Sequence, residues 1–314
     1  MLHLADSWVW DFWLADDGER YHMFFLHAPR SLPSPDDRHF SARVGHAVSS
    51  DLTTWERVAD ALGPDDPPAF DDMATWTGSV VRGDDDKWYM FYTGASRAED
   101  GLVQRIGLAI SADLLCWERA GPVLVADDRW YETLDRAVWP DQAWRDPWVV
   151  RDPAGSNWHM LFTARSKHGS PDDRGVIGHA TSHDLLRWEA GQPLSAPGQG
   201  FGQLEVPQVE VIEGRPVLLF SCLGKDLAKT RRGSPGGIWA APGESLLGGW
   251  DIEGAQPLTD ESLYAGRVVK GRSGQWVMMA FRNAGPGSRF VGDISDPMPL
   301  STAANGKLQV ASGS

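Results

Sequence analysis

VSSDLTTWER, residues 48–57, returns as ISADLLCWER at 110–119 and as TSHDLLRWEA at 181–190. A weaker copy, GESLLGGWD, ends at Asp251. The pattern is S-x-D-L-x-x-W-E, and its tryptophans are Trp55, Trp117, Trp188 and Trp250. Upstream of each copy lies an apolar, strand-like segment: RYHMFFLHAP, KWYMFYTGAS, NWHMLFTARS and RPVLLFSCLG. A fifth such segment, QWVMMAFRNA, follows near the C-terminus. Shorter extended stretches precede all five: VWDFWLA, WTGSVVR, WRDPWVVRD, LEVPQVEVI and LYAGRVVKG. Gly- and Asp-rich turns separate them, such as ADDGER and GDDDK. Helical periodicity is almost absent.

One unit therefore reads as four short strands, and five units fill the chain. A lone four-stranded unit leaves both faces wet, whereas radial stacking buries them and leaves only short edges. The expectation is an all-β fold, a five-bladed β-propeller that takes the whole chain, 1–314, as a single domain. The repeated tryptophans then pack between blades, since repetition is what packing requires. His46 and His179 also recur at matching positions and read as structural.

Bulk properties narrow the partners. The 314 residues are 42% hydrophobic and 23% charged, with sixteen tryptophans and a net charge of −14. Such acidity disfavours nucleic acid and anionic membrane surfaces. No apolar run approaches the roughly 18 residues of a membrane span. The start, MLHLADSWVW, lacks a basic segment followed by an apolar one, so the expectation is a cytoplasmic protein, with secretion left open. The two cysteines, Cys116 and Cys222, sit in apolar surroundings and read as core residues. No CxxC or HExxH occurs, and no metal or organic cofactor is signalled.

Chemistry belongs to what breaks the repeat. The first strand of each unit lines a propeller's channel, and its start reads Trp10-Asp11, Trp76-Thr77, Trp144-Arg145-Asp146, Leu204-Glu205 and Tyr264-Ala265 in turn. Three acids thus fall near one ring, and Asp11, Asp146 and Glu205 are the candidate catalytic residues. Glycoside cleavage needs two carboxylates about the scissile bond, about 5 Å apart for direct attack and wider for a water-mediated route. A third acid can support the positive charge of the transition state. Mutual repulsion pushes one carboxyl upward, as a general acid requires. Trp8, Trp10, Trp13, Trp76, Trp144 and Trp148 are candidate walls for a sugar ring. A non-catalytic sugar-binding propeller remains an alternative on these residues alone.

In combination the motifs resemble glycoside hydrolase families 32 and 68, the invertase and levansucrase clan. VWDFWL followed by GERYHMFF resembles the clan's nucleophile segment, WTGSVV its W/F-S-G-S-A segment, WRDPWVV its R-D-P motif and LEVPQV its E-C-P or E-R-P segment. The resemblance implies a propeller that cleaves or transfers β-fructofuranosides by retaining double displacement. It implies Asp11 as nucleophile, Glu205 as acid/base and Asp146 as transition-state stabiliser. Arg145 would help hold the sugar and Trp10, Trp76 and Thr77 would line the fructose subsite; Trp13, one of the aromatic walls, is a further substrate-binding candidate. The C-terminal β-sandwich of family 32 has no counterpart in the sequence, and self-association through an uncovered propeller face is left open.

Two alternatives keep the fold: an inverting arabinan- or xylan-type pentosidase, and a glycoside phosphorylase. The first usually has Pro after its first Asp, where this chain has Phe12. The second wants a basic cluster, for which KTRRG (229–233) is the candidate, although it reads as a solvated loop. His27 is a weaker candidate for the site. The loops SLPSPDDR (31–38) and HGSPDDRG (168–175) are candidates for the funnel's rim.

Overall fold

The computed structural model describes residues 1–285, 287, 289–303 and 307–311. Among the described residues, twenty strands form five four-stranded antiparallel sheets, each a meander in chain order. The first sheet holds β1 (Ser7–Asp16), β2 (Tyr21–Pro29), β3 (Arg43–Ser49) and β4 (Glu56–Arg57). The second holds β5 (Ala74–Arg82), β6 (Trp88–Ala95), β7 (Gln104–Ser111) and β8 (Glu118–Leu124). The third holds β9 (Trp144–Arg151), β10 (Trp158–Arg165), β11 (Gly175–Ser182) and β12 (Glu189–Ala190). The fourth holds β13 (Glu205–Ile212), β14 (Arg215–Cys222), β15 (Gly237–Pro242) and β16 (Gln256–Pro257). The fifth holds β17 (Leu263–Lys270), β18 (Trp276–Arg282), β19 (Met298–Thr302) and β20 (Leu308–Val310). The strands β1, β5, β9, β13 and β17 touch in succession, and β17 returns to β1, so the sheets close a ring. This is the five-bladed propeller expected from the repeat. At the closure Leu2 bridges Ile294 and the Val9 amide donates to the Gly292 carbonyl (3.1 Å).

The repeat has a local cause. Asp51 accepts the amides of Thr53 and Thr54 (2.8 Å each), and the Ser49 hydroxyl accepts those of Asp51 and Leu52 (3.1 and 3.0 Å). Leu52 takes the left-handed region at φ 66°, and its carbonyl accepts the Trp55 indole N–H at 3.0 Å. Ser111–Trp117 and Ser182–Trp188 repeat the arrangement, with Leu114 and Leu185 both at φ 64°. The motif is a side-chain-capped turn between two strands rather than a helical turn. Its tryptophan reaches the preceding blade: Trp117 meets Phe24 edge-on at 5.5 Å, and Trp188 meets Phe91 at 5.3 Å. The recurring histidines are also internal. His46 pairs with His22 (3.0 Å) and His179 with His159 (2.9 Å), each across neighbouring strands. Burial, reinforced by the partner histidine, lowers His46 to about 3 and His179 to about 4, so both stay neutral.

Two cysteine readings divide. Cys222 is buried, whereas Cys116 is exposed, because the turn that carries it sits at the outer rim. Among the described residues, no helix is long and apolar enough to cross a membrane.

Candidate active site

Every inner strand carries a register shift at the same height. It falls between Trp10 and Phe12 in β1, Trp76 and Gly78 in β5, Arg145 and Trp148 in β9, Glu205 and Gln208 in β13, and Tyr264 and Arg267 in β17. A bulge leaves residues unpaired, bends the strand and re-aims side chains. Three of these sites hold a non-glycine residue in the left-handed region: Asp146 at φ 58°, Val206 at φ 51° and Ala265 at φ 49°. In β5 the residue after the bulge must be glycine, because a Cβ on Gly78 would lie 2.1 Å from the Phe91 carbonyl oxygen.

The bulges build two tiers about one cavity of about 420 Å3. The last paired residues, Trp10, Trp76, Arg145, Glu205 and Tyr264, all line it. The first bulged residues, Asp11, Thr77, Asp146 and Val206, line it as well. The structure thus brings the three predicted carboxylates together, but not in one register. Asp11 and Asp146 share the bulge position, while Glu205 stands one residue earlier, in the tier of Trp10 and Arg145.

Each acid has a distinct setting. The Thr77 hydroxyl donates to Asp11 Oδ2. Asp146 Oδ2 accepts from the Thr163 hydroxyl at 2.8 Å and from the Val206 amide at 3.0 Å. Glu205 Oε1 accepts from Arg145 Nη2 at 2.9 Å, and its Oε2 from the Tyr264 phenol at 2.5 Å. Arg145 also donates to Gln104 (3.0 Å), Asp141 (3.3 Å) and Gln203 (2.5 Å), and its Nε lies 3.8 Å from Asp146 Oδ2. Below the cavity Arg267, fully buried, donates to the carbonyls of Phe12 (3.2 Å), Val206 (3.3 Å) and Pro207 (2.8 Å).

Hydroxyls on the second strands seat the next blade. Thr93 Oγ1 accepts the Asp146 amide (3.0 Å), Thr163 Oγ1 reaches the Leu204 carbonyl (3.0 Å), and Ser221 Oγ accepts the Ala265 amide (3.0 Å). They occupy one position in the aligned segments MFYTGAS, MLFTARS and LLFSCLG, a signal present in the repeat.

Crowding sets the charges. Burial first, then the Asp146 and Glu205 carboxylates, push the Asp11 carboxyl up to about 7, while the Thr77 hydroxyl and Arg267 pull it down. Burial also raises Asp146, with Glu205 adding and Arg145 opposing. Burial alone would weaken Arg145's hold on its proton, but Asp141, Glu205 and Asp146 outweigh it and keep the guanidinium charged. Burial and the Glu205 charge hold the Tyr264 phenol well above its usual range, so it remains a donor.

Several predicted walls are elsewhere. Trp13 is 0% exposed and stacks on Phe24 at 6.2 Å, since the bulge at Asp11 turns it from the channel into the blade. Trp144 is equally buried, against Tyr131 and Phe162. Trp8 packs edge-on to Phe290, and Trp148 lies under Arg267. Trp10, Trp76, Thr77 and Arg145 are at the cavity. His27 is paired with Asp60 at 3.0 Å, outside the cavity lining. The 31–38 loop does rim the cavity, through Asp36 and Arg38, whereas no residue of 168–175 lines it. Neither does any residue of 229–233: Arg231 lies over Phe201 at 4.3 Å instead. Tyr264, His39 and Phe40 line the site without having been named as site residues from sequence, and Arg38 only as the last residue of the 31–38 loop. Tyr264 was legible as unit five's counterpart of Trp10, whereas His39 and Phe40 follow no repeat.

A family profile, Glycosyl hydrolases family 32 N-terminal domain, matches residues 14–242. The chain belongs to glycosyl hydrolase family 32. The matched span includes Asp146 and Glu205 and begins three residues after Asp11. The sucrose-6-phosphate hydrolase of Bacillus subtilis (strain 168) is 29% identical over 211 residues, 65% of this chain and 39% of that protein. The raffinose invertase of Escherichia coli is 30% identical over 179 residues, 54% of this chain and 35% of that protein. The family 32 chain thus spans well under half the length of these relatives. Among solved structures, the inulosucrase from Halalkalicoccus jeotgali bound to kestose superposes with a TM-score of 0.80 at 21% identity, covering 99% of this chain and 90% of that one. Levansucrase of Bacillus subtilis gives 0.74 at 16% identity, with 98% and 86% covered. At these identities the superpositions speak for the fold alone.

Proposed function

We propose that this family 32 chain cleaves β-linked fructofuranosides, or transfers their fructosyl group, by a retaining double displacement. The observation that carries the reading is the gathering of Asp11, Asp146 and Glu205 about one cavity, with Arg145 bonded to Glu205 and beside Asp146. The names of the relatives, hydrolases and invertases of sucrose-type sugars, support the same substrate class.

In this reading a carboxylate oxygen of Asp11 attacks the anomeric carbon as the glycosidic bond breaks. Glu205, within reach of Arg145 and Tyr264, gives its proton to the departing oxygen. Water, or the hydroxyl of a second sugar, then displaces Asp11 while Glu205 takes back a proton. Asp146, held by the Thr163 hydroxyl and the Val206 amide, faces the positive charge that builds on the sugar ring. Trp10 and Trp76 supply the flat walls. With its carboxyl raised to about 7, Asp11 must lose a proton before it attacks, so activity of the free protein falls as pH drops below neutral.

Product analysis on a panel of fructosides tests this. Asp11→Asn and Glu205→Gln should each lower fructose release by about a thousandfold or more while the fold persists. Methanol present in the reaction should yield the methyl fructoside of retained configuration. Full activity in either variant, or an inverted product, would refute the assignment.

A further inference from the structure

The first-blade loop forms one wall of the cavity and is built to stay there. Ser34 caps a short turn over Pro35–Ser41, and Asp37 returns the bond to the Ser34 amide. The Trp76 indole donates to the His39 carbonyl at 2.6 Å, and Phe40 lies 6.5 Å from the Trp76 ring. Within this wall Arg38 is 8% exposed, with its guanidinium 3.9 Å from the Phe290 ring centroid and 5.6 Å from that of Trp10. Its Nη1 donates to the Pro35 carbonyl (2.8 Å) and lies 3.4 Å from Asp36 Oδ1. Its Nε is buried and has no partner among the described residues. The chemistry assigned to the three acids makes no use of this group. A guanidinium on a cavity wall, with its hydrogen bonds among the described residues confined to Nη1, keeps donor capacity for whatever enters.

Charge decides what that is. Asp11, Asp36, Asp141, Asp146 and Glu205 line the cavity, against the guanidiniums of Arg38 and Arg145. Both cations already have carboxylate neighbours, Arg145 in Asp141 and Glu205 and Arg38 in Asp36. A phosphate group would bring up to two more negative charges into this lining, whereas sugar hydroxyls need only donors and acceptors. We propose that the cavity takes uncharged saccharides in preference to phosphorylated ones, and that the Arg38 guanidinium holds one of their hydroxyl oxygens. The proposal rests on the reading of the cavity as a fructoside site.

Titration of the whole protein with sucrose and with sucrose 6-phosphate, followed by tryptophan fluorescence, tests it apart from turnover. Sucrose should bind at least about tenfold tighter. Asp36→Asn, at an exposed rim position, should narrow that gap about twofold to threefold. Arg38→Lys keeps the charge but loses the planar fork of donors, and should weaken sucrose about tenfold. Sucrose 6-phosphate binding as tightly as sucrose, neither sugar binding, or Arg38→Lys binding sucrose at full strength would each overturn the proposal. A protein that binds sucrose with the expected preference yet releases no fructose upholds this inference and refutes the cleavage reading instead.

Discussion

Asp11→Asn should stabilise the protein, and only above a definable pH. In the unfolded chain an aspartate titrates near 3.8, whereas the folded surroundings push Asp11 up to about 7. Folded molecules therefore hold this proton while unfolded ones have released it. Stability contributed by the protonated group is fully present below pH 3.8 and is lost as pH rises, until it levels off above about 7. Each pH unit in that window removes about 1.4 kcal/mol, so the penalty grows by about 2–3 kcal/mol between pH 5 and pH 8. Asparagine retains an oxygen to accept the Thr77 hydroxyl and carries no charge. Urea unfolding of both proteins at pH 5 and pH 8 isolates Asp11 together with its coupling to Asp146 and Glu205, because titrations independent of that cluster cancel between them. The variant's advantage should be about 2–3 kcal/mol larger at pH 8. An advantage equal at the two pH values would show that Asp11 is not a buried carboxylate under repulsion, and the account of the cluster's charges would fail.

Three further outcomes follow. Thr77→Val removes the hydroxyl that favours ionised Asp11, so its carboxyl rises further and the acid limb of the kcat/KM profile moves to higher pH, as a pH–rate series would show. Trp13→Phe should cost about 1–3 kcal/mol of stability in denaturant titration and leave KM for a fructoside unchanged, while Trp10→Phe should raise KM. Asp184→Ala removes the acceptor of the Leu186 and Arg187 amides in the third blade's turn and should cost about 1 kcal/mol in thermal unfolding, with activity retained at low temperature.

The architecture was legible because a turn that needs Ser, Asp, left-handed Leu and Trp leaves the same letters wherever it is built. Five strand starts aligned on that repeat were enough to nominate Asp11, Asp146 and Glu205. What alignment could not supply was the bulge. Counting two residues against one requires the partner strand, so aligning the strand starts put Glu205 level with Asp11, and listing the tryptophans around Asp11 as walls took in Trp13. Both were displaced by the same irregularity. Arg38 is a different case: it closes the S-P-D-D-R run of 34–38, which recurs at 170–174 between the second and third strands of the third blade, and only the structure shows that the first-blade copy reaches the cavity while the other does not. Arg267 likewise reads as one cation in an apolar strand until the carbonyls of Phe12, Val206 and Pro207 are seen around it.

The hydroxyls of Thr93, Thr163 and Ser221 have a bearing on engineering. Each belongs to one sheet yet fixes the backbone from which the adjacent sheet projects its cavity residue. The transplantable module is therefore not a visual blade. It is the second strand of one blade taken with the first strand of the next, and a chimera cut at the obvious inter-blade loops would separate Asp146 from the threonine that seats it.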